Sequence, residues 1–330
     1  MKKCLSYDDP FLGFLWGVLG AALFSVSLAH AQSYPSKPIH LVLPFPPGGP
    51  TDLLGRTIGQ KLAENVGQPV VVDNRPGAGG NLGVDWVAKS QPDGYTIVLT
   101  SPLIAISPWL YSKLSYDPMR DLAPIALTAT IQNVLIVHPS VPAKNVSQMI
   151  ALAKAHPQRL NYASGGTGTT SHLGLELLCS LTHIQMVHIP FKGTGVGMIG
   201  LLSGQADLLL IAAPIGATQI KAGKVRALAV LASQRTPVLP DVATAKEEGV
   251  DNLEMPIWYA IMAQAATPKD YISRLNSEIV KALNNKELKD KFMSAGIDAT
   301  PSTPEQLLAF IKTESARYGK VIRQAGIKGE

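Results

Sequence analysis

The sequence predicts an α/β protein of two lobes facing each other across a cleft, each lobe a mainly parallel sheet flanked by helices. Three observations carry this. Short β-branched runs alternate with helical patterns along most of the 330 residues, the arrangement of parallel sheets covered on both faces. After Pro268 the alternation stops and only helical patterns follow. Two extended segments, residues 132–139 and 253–263, read as crossings from one βα set to the next and back. Two crossings make the first lobe discontinuous, residues 32–133 plus 257–330, with 134–256 as the second lobe. Ligands of open α/β sheets bind beyond the carboxyl ends of the strands, so two facing lobes enclose a site and close on it about the crossings.

Taken in order, Lys2 and Lys3 precede an apolar run over residues 11–28, and Ala29-His30-Ala31 forms a small-residue cleavage site. That is the layout of a secretory signal peptide over residues 1–31, leaving mature protein that begins at Gln32 in the periplasm. Asp8 and Asp9 sit awkwardly in the charged region, and a retained membrane anchor is the other reading. No later apolar run is long enough to span a bilayer. Of the two cysteines, Cys4 leaves with the signal and Cys179 lies in a helical run with Leu175, Leu178 and Leu181. A single mature thiol makes no internal disulfide, and an inert packed cysteine is expected. No Cys/His cluster suits a metal, and no fingerprint calls for a cofactor. The net charge of +5 is scattered, without the basic stripe that nucleic acid requires.

The first strand, Ile39–Leu43, runs through Pro44-Phe45-Pro46-Pro47-Gly48-Gly49-Pro50-Thr51-Asp52 into an amphipathic helix carrying Leu54, Ile58 and Leu62. A strand-to-helix turn leaves the first helix amides unpaired, and glycines there admit a ligand close to the backbone. The loop has no Lys and lacks P-loop or dinucleotide spacing, so it reads as a seat for a small carboxylate. Further strands are expected at 70–74, 96–99, 134–137, 161–163, 186–189, 208–211 and 227–231, with helices after Thr51, Gly80, Asn145, Thr170, Gly195 and Pro214. A helix starting at Thr267-Pro268 buries Ile272, Leu275, Ile279 and Leu283 on one face. In the last helix Thr303 is the N-cap, Pro304 stands at the first helical position and Gln306 closes a capping box.

Tyr162-Ala163-Ser164-Gly165-Gly166-Thr167-Gly168-Thr169-Thr170-Ser171-His172 repeats the first loop's logic on the second lobe. Three glycines and several hydroxyls converge where a helix begins, so two facing helix starts make a carboxylate clamp that needs no arginine. Ser164, Thr167, Thr169 and Thr170 are the expected donors, Thr170 being equally suited to cap the helix. His172 either donates to the ligand or packs. Ser101, Ser164, His172 and Asp207 supply the residue types of a triad, but no Gly-x-Ser-x-Gly elbow is present, which disfavours an enzyme.

The first loop, Asp73-Asn74-Arg75-Pro76-Gly77-Ala78-Gly79-Gly80, Pro92-Asp93-Gly94-Tyr95, Ser171-His172, Phe191-Lys192-Gly193 and Leu239-Pro240-Asp241 together resemble the periplasmic solute receptors of tripartite tricarboxylate transporters, the Bug-type receptors. The resemblance covers essentially the whole mature chain. It implies a two-lobe, type II periplasmic-binding-protein fold, a small carboxylate ligand and handover to membrane permease subunits; a monomer is expected. A receptor that signals to a membrane sensor is the alternative. Carried over residue by residue, the resemblance places the ligand on Phe45, Gly48, Gly49, Thr51, Asp52 and Ser101 and on Ser164, Gly166, Thr169, Thr170 and His172. Asp52 is expected to order its loop, because a bare carboxylate repels an anion. Arg75 could clamp a carboxylate, but the turn it sits in favours a part in loop architecture. Pro50 stands where the family carries Gly, Ala or Ser, which removes one amide donor. Ile211-Ala212-Ala213-Pro214 stands where many members of the resembled family carry a polar pair at a strand end, so the wall at Ala213 is expected to be apolar and to suit a plain or aromatic carboxylate over an amino acid.

Overall fold

The computed structural model describes residues 34–329, so the expected signal peptide and its cleavage site fall outside the described residues. The chain runs β1 (Ile39–Leu43), α1 (Pro50–Val66), β2 (Val70–Asn74), α2 (Asn81–Ala88), β3 (Thr96–Thr100), α3 (Leu103–Leu110), α4 (Pro118–Asp121) and β4 (Leu122–Ile131). It continues through β5 (Asn133–Val137), α5 (Val146–Ala155), β6 (Asn161–Ser164), α6 (Thr170–Thr182), β7 (Val187–Pro190) and α7 (Thr194–Leu202). The remainder is β8 (Leu208–Ala212), α8 (Ala213–Lys221), β9 (Arg226–Val230), β10 (Ile257–Gln264), α9 (Lys269–Leu283), α10 (Lys286–Ser294), β11 (Asp298–Ala299) and α11 (Pro304–Ala325).

Two sheets result, ordered β11-β4-β10-β3-β1-β2 and β7-β6-β8-β5-β9. The expected two-lobe α/β architecture is present. Most strands of each sheet share a direction; besides the short edge strand β11, two are reversed, β10 pairing antiparallel with both β3 and β4, and β5 pairing antiparallel with both β8 and β9. These are the strands on which the chain passes between sheets. β4 and β5 are separated by Gln132 alone, and the chain leaves β9 and returns to the first sheet in β10. Asn133, the first residue of β5, donates its Nδ2 to the Met255 carbonyl at 2.7 Å, so one buried side chain ties the two passages together.

β1 and β3 are fully apolar inside, with Leu41, Val42, Leu43, Ile97, Val98 and Leu99 at zero exposure, as strands covered on both faces require. A contiguous core joins Val42 and Val98 of the first sheet to Trp258, Tyr162, Leu135 and Leu210, with Tyr318 of α11 packed in. Phe310 meets the Trp258 ring edge-on at 5.4 Å. α9 buries Ile272, Leu275, Ile279 and Leu283 as its pattern predicts, each side chain contributing roughly 1.5–3 kcal/mol. In α11 the capping box of Thr303 and Gln306 closes on both sides.

Two elements beside the cleft depart from the sequence expectation. β4 was not among the expected strands, because Pro124 and its alanines break the alternation; its place in the sheet comes from antiparallel pairing along β10. α3 carries Pro108 in its interior, which reads as a break, yet eight residues are helical and wall the cleft.

Candidate functional site

In the first loop, Gly48 turns the chain with φ +88°, and Gly49 is the N-cap of α1 with no side chain to cap it. Its carbonyl takes the amides of Asp52 and Leu53 at 3.0 and 3.1 Å. Pro50 has no N–H, so the amides of Gly49 and Thr51 remain without an acceptor at the helix start. Asp52 braces the loop from behind: its carboxylate accepts from the Gly48 amide at 3.2 Å, from Arg56 Nε at 3.0 Å and from Asn74 Nδ2 at 3.2 Å. The Arg56 guanidinium, assisted by Gly48 and Asn74, holds the Asp52 carboxyl below its ordinary value against the opposing effect of burial. Asn74 also donates to the Phe45 carbonyl at 3.1 Å, which fixes the loop to the end of β2. Arg75 is engaged elsewhere, on Asp73 at 2.6 Å and over the Trp86 ring at 3.8 Å.

The second loop closes on itself. Ser164 Oγ receives the Gly166 amide at 3.0 Å, Ser171 Oγ receives the Gly165 amide at 3.0 Å, and Thr169 Oγ1 donates to the Gly166 carbonyl at 2.7 Å. Thr169, and not Thr170, is the N-cap of α6, accepting from the His172 amide. These bonds leave the amides of Thr167, Thr170 and Ser171 without acceptors, the orphan donors of a helix start.

Behind this loop lies a stack of rings, of which Tyr162 and His172 are buried and His188 is half-buried. His172 lies 3.8 Å from His188, which lies 5.0 Å from Tyr162. His172 Nδ1 accepts from the Gly168 amide at 3.1 Å, and His188 Nε2 meets Ser164 Oγ at 2.6 Å. Burial and the neighbouring His188 push His172 down to about 3, and burial pushes His188 down to about 4. Both rings are neutral near pH 7. Tyr162 donates to Glu176, and one turn further on burial together with the Glu176 charge pushes the Cys179 thiol up to about 12.

Between the two loops lies a cavity of about 550 Å³. Phe45, Gly49, Pro50 and Thr51 form one rim and Thr167, Gly168, Thr169, Thr170 and Ser171 the other, with Ser101, Ser107, Leu110 and Tyr111 along a side wall. The floor is Asn133, Ile211, Ala212, Ile257 and Tyr259. Leu110 crosses over to lie against Gly168, close enough that a Cβ there would stand 2.0 Å from its Cδ1. No charged side chain lines the cavity among the described residues. A neutral cavity with two sets of unpaired amides at its rim is suited to hold an anion through backbone dipoles and hydroxyls.

The family model of the tripartite tricarboxylate transporter family receptor matches residues 54–327. The chain belongs to that receptor family. It is 35% identical to the protein BugT of Bordetella pertussis over 319 residues, 95% of this chain and 98% of BugT. Among solved structures it superposes on Rpa4515 of R. palustris, determined with adipate, with TM-score 0.81 and 32% identity over 90% of this chain and 100% of that one. It also superposes on MatC of Rhodopseudomonas palustris, determined with malate, with TM-score 0.75 and 30% identity over 88% of this chain and 100% of that one. The receptor is thus a solute-binding protein of the periplasmic kind and not an enzyme.

Of the residues singled out in the receptor's sequence, the structure brings Phe45, Gly49, Thr51, Ser101, Thr167, Thr169 and Thr170 onto the cavity wall. Asp52 instead faces an outer groove with Arg56 and Lys291, and Gly48 lines both that groove and a smaller pocket that it shares with Gly49, Pro50, Ala212 and Ile215 beside the cavity. Ser164, Gly166 and His172 lie behind the loop, engaged with each other and with His188. Ala213 is the first residue of α8 and fully buried, and its neighbour Ala212 takes the cavity position. Asn133, Tyr259 and the α3 residues carried no local signal. Asn133 and Tyr259 line the site because the two passages between sheets run along its floor, a fact of topology, and α3 is hidden by Pro108.

Proposed function

We propose that this receptor captures a small carboxylate between its lobes and delivers it to the membrane permease subunits of a tripartite tricarboxylate transporter. The observation that carries the reading is the uncharged cavity rimmed by two helix starts with orphan amides. Charge-assisted bonds from backbone N–H groups to a carboxylate are worth roughly 1.5–3 kcal/mol each, so a few of them hold an anion without arginine or lysine. The adipate and malate of the two solved relatives support a carboxylate as the class of ligand. Leu103, Ile106, Ile211, Ile215 and Ile257 on the wall favour a ligand with an apolar body, aromatic or extended aliphatic, over an amino acid.

In this reading residues 32–133 plus 257–330 form one lobe and 134–256 the other, and ligand closes them about Gln132 and the segment leading into β10. The protein acts as an exported monomer, cleaved after Ala31. A thermal-shift screen of the mature chain tests the function. Aliphatic and aromatic carboxylic acids are set against the matching amides and amines. Stabilisation by acids alone is expected; stabilisation by amines, or by no acid at millimolar concentration, overturns the carboxylate reading.

A further inference from the structure

We propose that His172 and His188 are positioning residues for the second loop, a stacked pair of neutral imidazoles that decides which loop amides stay free for the ligand. The proposal rests on the reading of that loop as a ligand seat and moves His172 from ligand contact to loop builder.

Geometry fixes the protonation. The Gly168 amide points at His172 Nδ1 from 3.1 Å, so Nδ1 is the bare nitrogen and the ring proton sits on Nε2, which faces Glu176 Oε1 at 3.9 Å. That amide is thereby withdrawn from the cavity, although Gly168 itself lines it. His188, on the neighbouring strand, meets Ser164 Oγ at 2.6 Å, and the same hydroxyl takes the Gly166 amide and touches the Gly166 carbonyl at 3.2 Å. Two rings 3.8 Å apart and 12° from parallel therefore hold the two glycines that flank Thr167. With those glycine amides engaged, the free donors left at the rim are Thr167, Thr170 and Ser171.

Protonating His172 puts a hydrogen on Nδ1, where it opposes the Gly168 N–H and lies against a second imidazole. The titratable groups facing the pair are Glu176 and Cys179 on α6 and Tyr162 on β6, with His188 itself on β7. Glu176 is the one group able to compensate the charge, and it already accepts from Tyr162. Acid strong enough to protonate the folded pair therefore loosens the loop.

The test compares His172→Asn, whose Oδ1 stands where Nδ1 does, with His172→Leu, which fills the space without an acceptor. His188→Gln, which keeps a donor toward Ser164, is paired with His188→Leu. Amide hydrogen exchange at Gly166 and Gly168 and imidazole nitrogen shifts are read from pH 7 to pH 3, with no added acid. Affinity is then measured at pH 7 with adipate, malate and benzoate as probes. The Asn and Gln variants should keep wild-type protection and affinity within about threefold, whereas each Leu variant should lose protection and at least tenfold in affinity. His172→Asn should also keep its Gly168 protection at pH 4, where the wild type begins to lose it. Equal behaviour of the Asn and Leu variants, or a protonated Nδ1 at pH 7, overturns the proposal. If none of the three acids binds the wild type while the exchange pattern holds, it is the carboxylate reading that fails and not the positioning role.

Discussion

The two rims of the cavity are built on the same plan and held by opposite chemistry. The first loop is braced by charge: Asp52, Arg56 and Asn74 form a network in which the arginine is about half exposed, at 54%. The second is braced without charge, by hydroxyls and two sunken imidazoles. Both solutions leave amides free at a helix start, yet their costs differ. A carboxylate near an anion seat is tolerable only if neutralised, and Arg56 does this from the solvent side. A buried histidine is tolerable only if it stays uncharged, and desolvation enforces that. The first rim should therefore answer to salt and the second to pH.

The largest expected effect is acid. The folded chain keeps His172 and His188 neutral, with values lowered to about 3 and about 4 from 6.5, whereas the unfolded chain protonates both. The unfolded state thus binds more protons below pH 6.5, and stability falls as pH falls. Each ring contributes a slope of about 1.4 kcal/mol per pH unit within its window. The loss should run from about pH 6.5 and level off near pH 3, with urea melts across that range as the measurement. A flat profile down to pH 4 would mean that the rings are already charged in the fold.

Next come the glycines of the two rims. Gly168→Ala meets Leu110 and a φ of +77°, whereas Gly48→Ala meets a φ of +88° and open space. Backbone strain alone is worth about 1–2 kcal/mol, so Gly48→Ala should cost that much and Gly168→Ala more, with a loss of carboxylate affinity on top. Paired melts and calorimetric titrations give the ranking, and equal costs would show that Leu110 simply swings aside.

Smaller still is Arg56→Ala, which should weaken binding a few-fold at low salt. That difference should shrink in 0.5 M salt, because screening already weakens an exposed pair. The corresponding His172→Leu effect should not depend on salt. The smallest effect belongs to Arg75→Ala. Its guanidinium is occupied by Asp73 and Trp86, so affinity should move less than twofold; abolished binding in a folded variant would return Arg75 to the ligand.

What could be read from the residues followed locality. The caps of α11, the buried face of α9 and the strands β1 and β2 obey rules that operate within a few positions, and each stands as expected. Both glycine-rich turns stand out in the sequence, and Gly49, Thr51, Thr167, Thr169 and Thr170 from them line the cavity, whereas Ser164 and Gly166 do not. The direction of His172 was not legible, because a ring in the first turn of a helix has two ways to face and His188, sixteen residues away, selects one. Ala212 and Ala213 differ by the one-residue phase at which β8 becomes α8. Asn133 reaches the floor only because β4 and β5 are nearly continuous, and β4 is hidden in sequence by Pro124.

Cys179 on α6 is the one cysteine among the described residues. Disulfide catalysts act on thiolates, and the thiolate fraction falls tenfold for each unit by which the pKa exceeds the ambient pH. With Cys179 pushed up to about 12, almost none of it is ionised at neutral pH. The same burial that neutralises the imidazoles leaves this cysteine slow to form mixed disulfides in an oxidising compartment.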